Sequence, residues 1–323
     1  MQLSRFGLDE YVGLLDKSIL SRFLNFGRRE GYRQGFYGCV TSSEVRSTMT
    51  NVSNKADIGL ANQHSLPAFS LNDYVALLIR LRAVGYKYDL VSHIKEADPS
   101  AKVAYIRHDI DLHICGIEQM ATEEAARGVH ATYYIPLTLH FNPLYPENQR
   151  TLRYIVDLGH EIGLHYDLET YPIDPDEARR HLDWEVSILS EIVGQPVRTI
   201  CMHQPHQDKP DPFQTIDDYI HPHNPCYQEG LLYVSDSCRA WRDRSLLTCF
   251  GPNPPRRLLL NIHPELWLDG TVGDRMQYLD QVLMENGVRQ HRDYFDRKVR
   301  EVWMTHLAPR LHDEREQRKI STR

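Results

Sequence analysis

Short apolar segments that alternate with longer helical segments most limit the fold of this sequence. The pattern predicts strands at residues 103–106, 131–137, 161–164, 197–202, 231–234 and 258–262. It predicts helices at residues 71–84, 114–126, 149–158 and 176–193. Since strands and helices that alternate form right-handed βαβ units, they predict a parallel sheet. The expected fold class is α/β, and about six strands of this type form either a (β/α) barrel or an open, doubly wound sheet.

Ionisable residues follow the carboxyl end of every predicted strand. In chain order these residues are Asp109 and Asp111, His140, His165 and Asp167, His203, Asp236 and Arg239, and His263. In a barrel of parallel strands the carboxyl ends converge on one mouth, where active sites lie. The pattern therefore favours the barrel and predicts a single functional site at its mouth.

The first of these strand ends carries two carboxylates, Asp109 and Asp111, one residue apart. In an extended segment this spacing puts both on the same side. Two like charges so close raise each other's pKa unless a cation relieves the repulsion. A metal ion would do so, with one Asp as its ligand and the other as a base. The alternative is that the carboxylates cap the following helix.

Histidines at the third and fourth strand ends extend this metal hypothesis. His165 lies in the segment GHEIGLHYD, and His203 lies in MHQPH. Imidazoles with nearby carboxylates suit zinc or another first-row divalent metal. Asp167 is expected either to bind the metal or to orient His165. His203 is expected to be a ligand or a substrate contact.

The last two strand ends supply candidates for proton transfer and substrate binding. His263 is placed as a general acid across the mouth from the metal. Asp236 is expected to accept a hydrogen bond from a protonated histidine, and Arg239 to bind a carboxylate through its fork geometry. Trp241 is expected to form an apolar wall or to stack on a sugar face. For each of them the alternative is a structural hydrogen bond or packing role.

Composition excludes several classes of protein. A net charge of −7 argues against nucleic-acid binding, and no apolar run is long enough to span a bilayer. The N-terminal pattern carries acidic residues and is not that of a signal peptide. The six cysteines show no C-x-x-C spacing, which predicts reduced thiols and a cytoplasmic protein. No P-loop, G-x-S-x-G or G-x-G-x-x-G motif is present.

The chain is expected to have three parts. Residues 1–66 form a helical N-terminal extension and a polar loop, which is a mobile linker or a lid. Residues 67–270 form the barrel, and residues 271–323 form a helical region that packs on it.

Six segments, in order, resemble the motifs of the polysaccharide deacetylase superfamily (carbohydrate esterase family 4, NodB homology). They are Arg107-His108-Asp109-Ile110-Asp111, Ala131-Thr132-Tyr133-Tyr134, GHEIGLHYD, Met202-His203-Gln204-Pro205, SDSCRAWRD and Ile262-His263-Pro264. The resemblance covers residues 67–270 and is to a divergent branch with an Arg-His-Asp-x-Asp first motif. It implies a distorted (β/α) barrel of about six to seven parallel strands that holds a divalent metal. It also implies an enzyme that removes acetyl groups from N-acetylated sugars.

The resemblance also implies roles for single residues. Asp109 matches the family's base, Asp111 and His165 match metal ligands, and His263 matches the general acid. The second histidine of the family's metal pair falls on Glu169, so Glu169, Asp167 and His203 compete as third ligand, with Asp167 preferred. The arginine that steadies the base is absent from MHQPH, so Arg107 or Arg239 is expected to serve. If His263 proves to be a ligand, the acid is sought at His203 or His140.

The expected activity is that of a metal-dependent amidohydrolase acting on an N-acyl sugar or glycan precursor, nucleotide- or lipid-linked. The cofactor is one divalent metal, zinc first, with cobalt, iron, manganese or nickel as alternatives. One rival is a non-catalytic carbohydrate-binding barrel. Another is a hydrolase of a different bond, such as a formamide, a cyclic amide or an ester. The sequence does not indicate an oligomeric state.

Overall fold

The structure is a computed structural model, and it describes only part of the chain. The described residues are 65–96, 98, 100–112, 114, 116–139, 142–204, 210–241, 243–267 and scattered positions between 275 and 312. The chain divides into two units, Met1–Gly59 and Leu60–Arg323. All described residues belong to the second unit. The helical extension and polar loop predicted for residues 1–66 lie outside them except at residues 65 and 66, so the three-part division of the chain stays a prediction.

One curved parallel sheet of seven strands forms the centre of the described part. Its strands are β1 (Lys87–Asp89), β2 (Val103–Asp109), β3 (Thr132–Ile135), β4 (Glu161–Tyr166), β5 (Ile200–Met202), β6 (Leu231–Ser235) and β7 (Arg257–Ile262). The order along the sheet is β5-β4-β3-β2-β7-β6, and β1 pairs with β2. Every pairing is parallel. The predicted distorted (β/α) barrel of six to seven parallel strands is confirmed.

Strand β2 is the middle of this sheet and has partners along both edges. Strand β7 pairs with it from Val103 to His108. On the other edge, β1 pairs with its first three residues and β3 with its last three. The sequence analysis missed β1, because a three-residue polar strand gives no apolar run to detect.

Helices α1 (Leu71–Ala83), α2 (Ile117–Ala125), α3 (Pro146–Asp157) and α4 (Pro175–Val193) connect the strands, and a short α5 (Arg275–Tyr278) follows β7. Local sequence sets their ends. Ser70 caps α1, and Asp174 caps α4 by accepting two backbone N–H groups. The glycine after α4, Gly194, has φ +77° and ends that helix in the left-handed conformation. No helix in the described ranges is long and apolar enough to cross a membrane.

Residues 220–224, which we call the wall segment, contact both edges of the sheet, at β5 and at β6. Ile220 exchanges backbone hydrogen bonds with Arg198 and Ile200 beside β5. The ring of His223 contacts Tyr233 of β6, with ring centroids 4.9 Å apart. The histidine-rich tract around His221 and His223 therefore forms part of the barrel wall between the two edge strands.

Candidate active site

Side chains at the carboxyl end of β2 point into the barrel mouth in alternation. Arg107 and Asp109 share the inner face because they lie two residues apart on a strand. The guanidinium of Arg107 binds both carboxylate oxygens of Asp109, with Nε–Oδ1 and Nη2–Oδ2 distances of 2.7 and 2.6 Å. Both side chains are buried. This fork-to-fork pair fixes the direction of the Asp109 carboxylate.

Further donors surround Asp109. Asn261 of β7 donates its side-chain N–H to Oδ2 at 3.0 Å. The Nε2 atoms of His165 and His263 each lie 3.9 Å from the same oxygen. Burial alone would raise the pKa of Asp109, but the charge of Arg107, then those of His165 and His263, hold that pKa well below its usual range. Asp109 is therefore a carboxylate at neutral pH.

Asp111 and His165 face each other across the mouth. His165 Nδ1 donates to the Cys201 carbonyl at 3.0 Å, which directs Nε2 toward Asp111 Oδ1 at 3.2 Å. That Oδ1 atom is buried, yet it accepts no hydrogen bond of normal geometry from the described residues. Burial alone would raise the pKa of Asp111, but contact with His165 lowers it. A carboxylate oxygen and a ring nitrogen that face each other this way are a natural pair of metal ligands.

The three candidates for the third ligand occupy different places. His203 Nε2 lies 3.9 Å from Asp111 Oδ1. Asp167 places Oδ2 3.8 Å from His203 Nδ1, while its Oδ1 accepts the backbone N–H of Glu169. The side chain of Glu169 is exposed. Burial lowers the pKa of His203, which favours the neutral ring that a metal requires.

The types of donor group at the mouth fit a divalent metal, although these groups lie too far apart to coordinate one ion together. No group of three or more His, Cys, Asp or Glu side chains among the described residues is arranged closely enough to hold an ion. The unpartnered Asp111 Oδ1 nevertheless faces two imidazole nitrogens, 3.2 and 3.9 Å away. One carboxylate and two imidazoles suit zinc and its first-row neighbours.

His263 lies on the other side of the mouth and is held by Asp236. Its Nδ1 lies 2.5 Å from Asp236 Oδ1, and its backbone N–H donates to the same carboxylate. Trp267 donates Nε1–H to Asp236 Oδ2 at 2.6 Å. Burial alone would lower the pKa of His263, but Asp236, then Asp111 and Asp109, raise it well above the usual value. The Nε2 atom faces Asp111 Oδ2 at 3.6 Å. His263 is therefore a protonated imidazolium that faces the mouth.

Glu265 is a buried carboxyl group that the sequence analysis did not single out. Its Oε1 accepts the backbone N–H of Asp111 at 3.3 Å, and its Oε2 has no hydrogen-bond partner in the described part of the chain. Burial and the charge of Asp111 raise the pKa of Glu265 to about 8. A neutral Glu265 avoids a further negative charge beside Asp111.

Arg239 and Trp241 belong to an aromatic cluster beside the mouth. The Arg239 guanidinium lies 3.7 Å from the centre of the Tyr278 ring, and Trp241 stacks on Phe69 with ring centroids 5.8 Å apart. Trp241 also contacts Trp267, at 6.1 Å between ring centroids. The structure thus places both residues in packing contacts near Trp267, which donates a hydrogen bond to Asp236. His140, the remaining candidate, lies outside the described residues.

Three residues at or near the mouth were missed by the sequence analysis as site residues: Asn261, Glu265 and His223, which contacts Arg107. Asn261 precedes His263 by two residues in a strand, so alternation alone would have put both on one face. Glu265 carries a carboxyl group in the otherwise apolar segment from Pro264 to Trp267. His221 and His223 resemble a metal-binding tract by composition only. Nothing in the sequence predicted the contact of His223 with Arg107, because it forms only through the folded wall segment.

The similarity of this chain to known proteins is low, in sequence and in structure. No protein-family model matches the sequence, and no curated protein matches it. Several solved structures of carbohydrate esterases and deacetylases are similar to it, at low identity. A peptidoglycan deacetylase from Bacillus subtilis is 15% identical, with a TM-score of 0.36, over 64% of this chain and 100% of that one.

Two further solved structures are similar to the same degree. The esterase domain of a multidomain xylanase from the hindgut metagenome of Trinervitermes trinervoides is 13% identical, with a TM-score of 0.36, over 59% of this chain and 85% of that domain. A family 4 pseudoenzyme from Bacillus anthracis is 19% identical, with a TM-score of 0.33, over 60% of this chain. That match spans 63% of the pseudoenzyme, less than two thirds of its length.

Proposed function

We propose that this chain is a metal-dependent hydrolase of the polysaccharide deacetylase type, in a divergent branch with an Arg-His-Asp-x-Asp first motif. Its substrate is an N-acylated sugar or glycan precursor, and acetyl is the first acyl group to test. The observation that carries the proposal is the pair of opposed groups at one mouth. The carboxylate of Asp109 and the imidazolium of His263 lie 3.9 Å apart, between Oδ2 and Nε2. A base and an acid so placed serve the two proton transfers of amide hydrolysis.

In this proposal Asp109 is the base. It removes a proton from the water whose oxygen forms the new bond to the acyl carbon. Arg107 and Asn261 hold the carboxylate in one orientation, so little reorganisation is needed when the proton arrives. The strongly lowered pKa makes Asp109 a weak base, so the water must itself be made more acidic for the transfer to proceed.

The chemistry that a divalent metal supplies at such a site is Lewis acidity, which polarises an acyl carbonyl and makes water more acidic. Asp111, His165 and His203 are the residues proposed to hold it, because the orphaned Asp111 Oδ1 faces both rings. Asp167 is proposed to orient His203 from behind, and its own role as a ligand stays a prediction from sequence. Zinc is the expected metal, with cobalt, iron, manganese or nickel as alternatives.

His263 is proposed as the acid. As the carbon–nitrogen bond breaks, it donates its Nε2 proton to the departing amine nitrogen, and the products are a carboxylic acid and a free amino sugar. Asp236 keeps the ring protonated and accepts its Nδ1–H, which leaves Nε2–H directed at the mouth, and Trp267 holds Asp236 in turn. Loss of such a positioned acid lowers kcat by on the order of a hundredfold or more.

Three variants of the purified protein test the proposal, with elemental analysis and an assay of amine release from N-acetyl sugars. Asp111→Ala is expected to lose both metal and turnover. Asp109→Asn and His263→Ala are expected to keep the metal and to lose about a hundredfold or more in kcat. The proposal fails if the metal-loaded wild type releases no amine from any N-acyl sugar. Release of acid without amine would identify an ester hydrolase instead.

The rival is a non-catalytic carbohydrate-binding barrel. The observation in favour of this rival is that no three potential ligand side chains among the described residues lie close enough together to hold a metal ion. A purified protein that binds N-acyl sugars but takes up no stoichiometric metal would favour this rival.

A further inference from the structure

The wall segment places His223 against the guanidinium of Arg107, on the side away from Asp109. The Nη1 atom of Arg107 and Nε2 of His223 are 2.7 Å apart. Because a guanidinium can only donate, Nε2 must be the acceptor and the ring proton must lie on Nδ1. Burial and the charge of Arg107 lower the pKa of His223 to about 3, so the neutral ring persists at physiological pH.

This contact completes the set of groups that hold the Arg107 guanidinium. Its Nε and Nη2 atoms face Asp109, and Nη1 faces His223. The ring of Tyr134 lies 5.2 Å from its central carbon. Since the guanidinium is rigid and planar, fixing both ends of the fork fixes its plane. The plane in turn sets the position of the Asp109 carboxylate.

His223 is itself anchored on several sides. Its carbonyl accepts the side-chain N–H of Gln214 at 2.7 Å, and its backbone N–H donates to His221 Nδ1 at 3.2 Å. Its ring meets Tyr233 edge to face. A histidine held at these points can restrict the movement of the long and flexible Arg107 side chain.

We infer that His223 is a positioning residue that fixes the guanidinium of Arg107 and thereby the orientation of Asp109. The catalytic consequence rests on the proposed role of Asp109 as the base. The positioning itself is a property of the protein and can be measured without turnover.

Two substitutions of matched polarity but different reach test the inference. In His223→Gln the side-chain oxygen extends nearly as far as Nε2 of the histidine, so it can accept from Arg107. In His223→Asn the oxygen stops near the position of Nδ1 and cannot reach. His223→Asn is expected to lower kcat by about tenfold to a hundredfold with little change in KM, because a base displaced by about 1 Å loses that much. His223→Gln should recover most of this loss, and both variants should keep the metal.

An NMR measurement on the side-chain Nε–H of Arg107 separates this inference from the proposed function. The proton is buried and donated to Asp109, so it exchanges slowly with water. We expect exchange to accelerate at least about tenfold in His223→Asn and to stay slow in His223→Gln. Equal exchange rates in the two variants would overturn the positioning role, whatever the enzyme hydrolyses. Accelerated exchange in a protein without hydrolase activity would uphold the positioning role and refute the proposed function.

A further variant covers the case in which His223→Asn does not fold. Gln214→Leu removes the hydrogen bond to the His223 carbonyl and leaves both side chains of the Arg107–His223 contact intact. It is expected to accelerate exchange at Arg107 by a smaller factor, of about two- to fivefold. Unchanged exchange in this variant would count against the anchoring.

Discussion

The two faces of strand β2 are each lined by histidines and carboxyl groups. On one face the hydrogen-bonding groups are satisfied, and on the other face some are not. On the outer face, His108 meets Glu124 of α2, Tyr74 of α1 and Tyr133 of β3. We call these four residues with His160 the outer cluster. On the inner face lie Asp109, Asp111, His165, His203 and His263, which we call the inner cluster. Both clusters combine histidines with carboxylates, and both are largely buried.

In the outer cluster every carboxylate oxygen is satisfied. Glu124 Oε1 accepts from Tyr74 and from His108 Nε2, the latter at 2.8 Å. Its Oε2 accepts from Tyr133 at 2.7 Å. His160 accepts the backbone N–H of Ala131 on Nδ1 and donates Nε2–H to the Ala121 carbonyl. Such a closed network stabilises the fold and has no capacity left for a ligand.

The inner cluster is open by contrast. Asp111 Oδ1 and Glu265 Oε2 are buried without hydrogen-bond partners in the described ranges, and several imidazole–carboxylate distances are between 3 and 4 Å. Residue type alone therefore does not separate a structural cluster from a functional one. The two clusters differ in unused hydrogen-bonding capacity, and a buried polar atom without a partner costs free energy unless a ligand supplies one.

The largest expected effect lies in the outer cluster. Glu124→Leu should lower the free energy of unfolding by about 3–5 kcal/mol, because it leaves several buried donors without an acceptor. Urea denaturation measures this. Glu123→Leu, one residue earlier and paired with Arg127 near the surface, is the control and should cost at most about 1 kcal/mol. A loss below about 1 kcal/mol for Glu124→Leu would remove the contrast between the clusters.

Asp111→Asn probes the inner cluster. It should lower zinc affinity by at least about a hundredfold, a change that isothermal calorimetry detects. With chelator present, its free energy of unfolding should fall by no more than about 1 kcal/mol, because only the contact with His165 that lowers the pKa of Asp111 has been weakened. If the metal-free variant is instead clearly less stable, the inner cluster is structural as well.

Tyr133 and Tyr134 are neighbours on opposite faces and form a matched pair. Tyr133→Phe deletes a donor to Glu124 and should cost about 1–2 kcal/mol in urea denaturation. The hydroxyl of Tyr134 is buried without a hydrogen-bond partner among the described residues. Tyr134→Phe should therefore change stability by no more than about 0.5 kcal/mol. Equal losses in the two variants would contradict this assignment of the faces.

The smallest effect concerns pH. Burial lowers the pKa of His160 below the ordinary 6.5, so the folded protein binds fewer protons on this ring than the unfolded chain does. Stability should thus be complete above pH 6.5 and should fall as the pH drops through the window below it. Urea denaturation across this range measures the slope. His160→Gln should reduce the slope without removing it, because the pKa values of His203 and His223 are lowered as well. An unchanged slope in the variant would assign the effect to another group.

The sequence predicted the regular parts of the molecule well. Strands β2 to β7 and helices α1 to α4 follow from apolar periodicity and from caps such as Ser70 and Asp174, which act over a few residues. Parallel topology followed from the alternation of these elements. The rule that strand ends meet then predicted that Asp109, Asp111, His165, His203 and His263 would lie together, and the structure brings these five residues to one mouth.

Contacts that depend on irregular chain segments were beyond sequence reasoning. Arg107 and His223 meet because the wall segment follows a particular path, and no local pattern encodes that path. The same holds for the backbone contact between Glu265 and Asp111. Arg239 could be predicted to lie near the mouth, but its packing on Tyr278 depends on a helix that begins far along the chain.

The central position of β2 has a consequence for biosynthesis. One edge of this strand is covered by β7, the last strand of the sheet to leave the ribosome. Until residues 257–262 emerge, β2 presents an unpaired edge together with its buried histidine and carboxylates. Open strand edges are templates for aggregation, and pairings between distant segments form slowly. Nascent chains of this protein are therefore expected to expose this edge from the synthesis of β2 until that of β7, because the middle of the sheet is completed last.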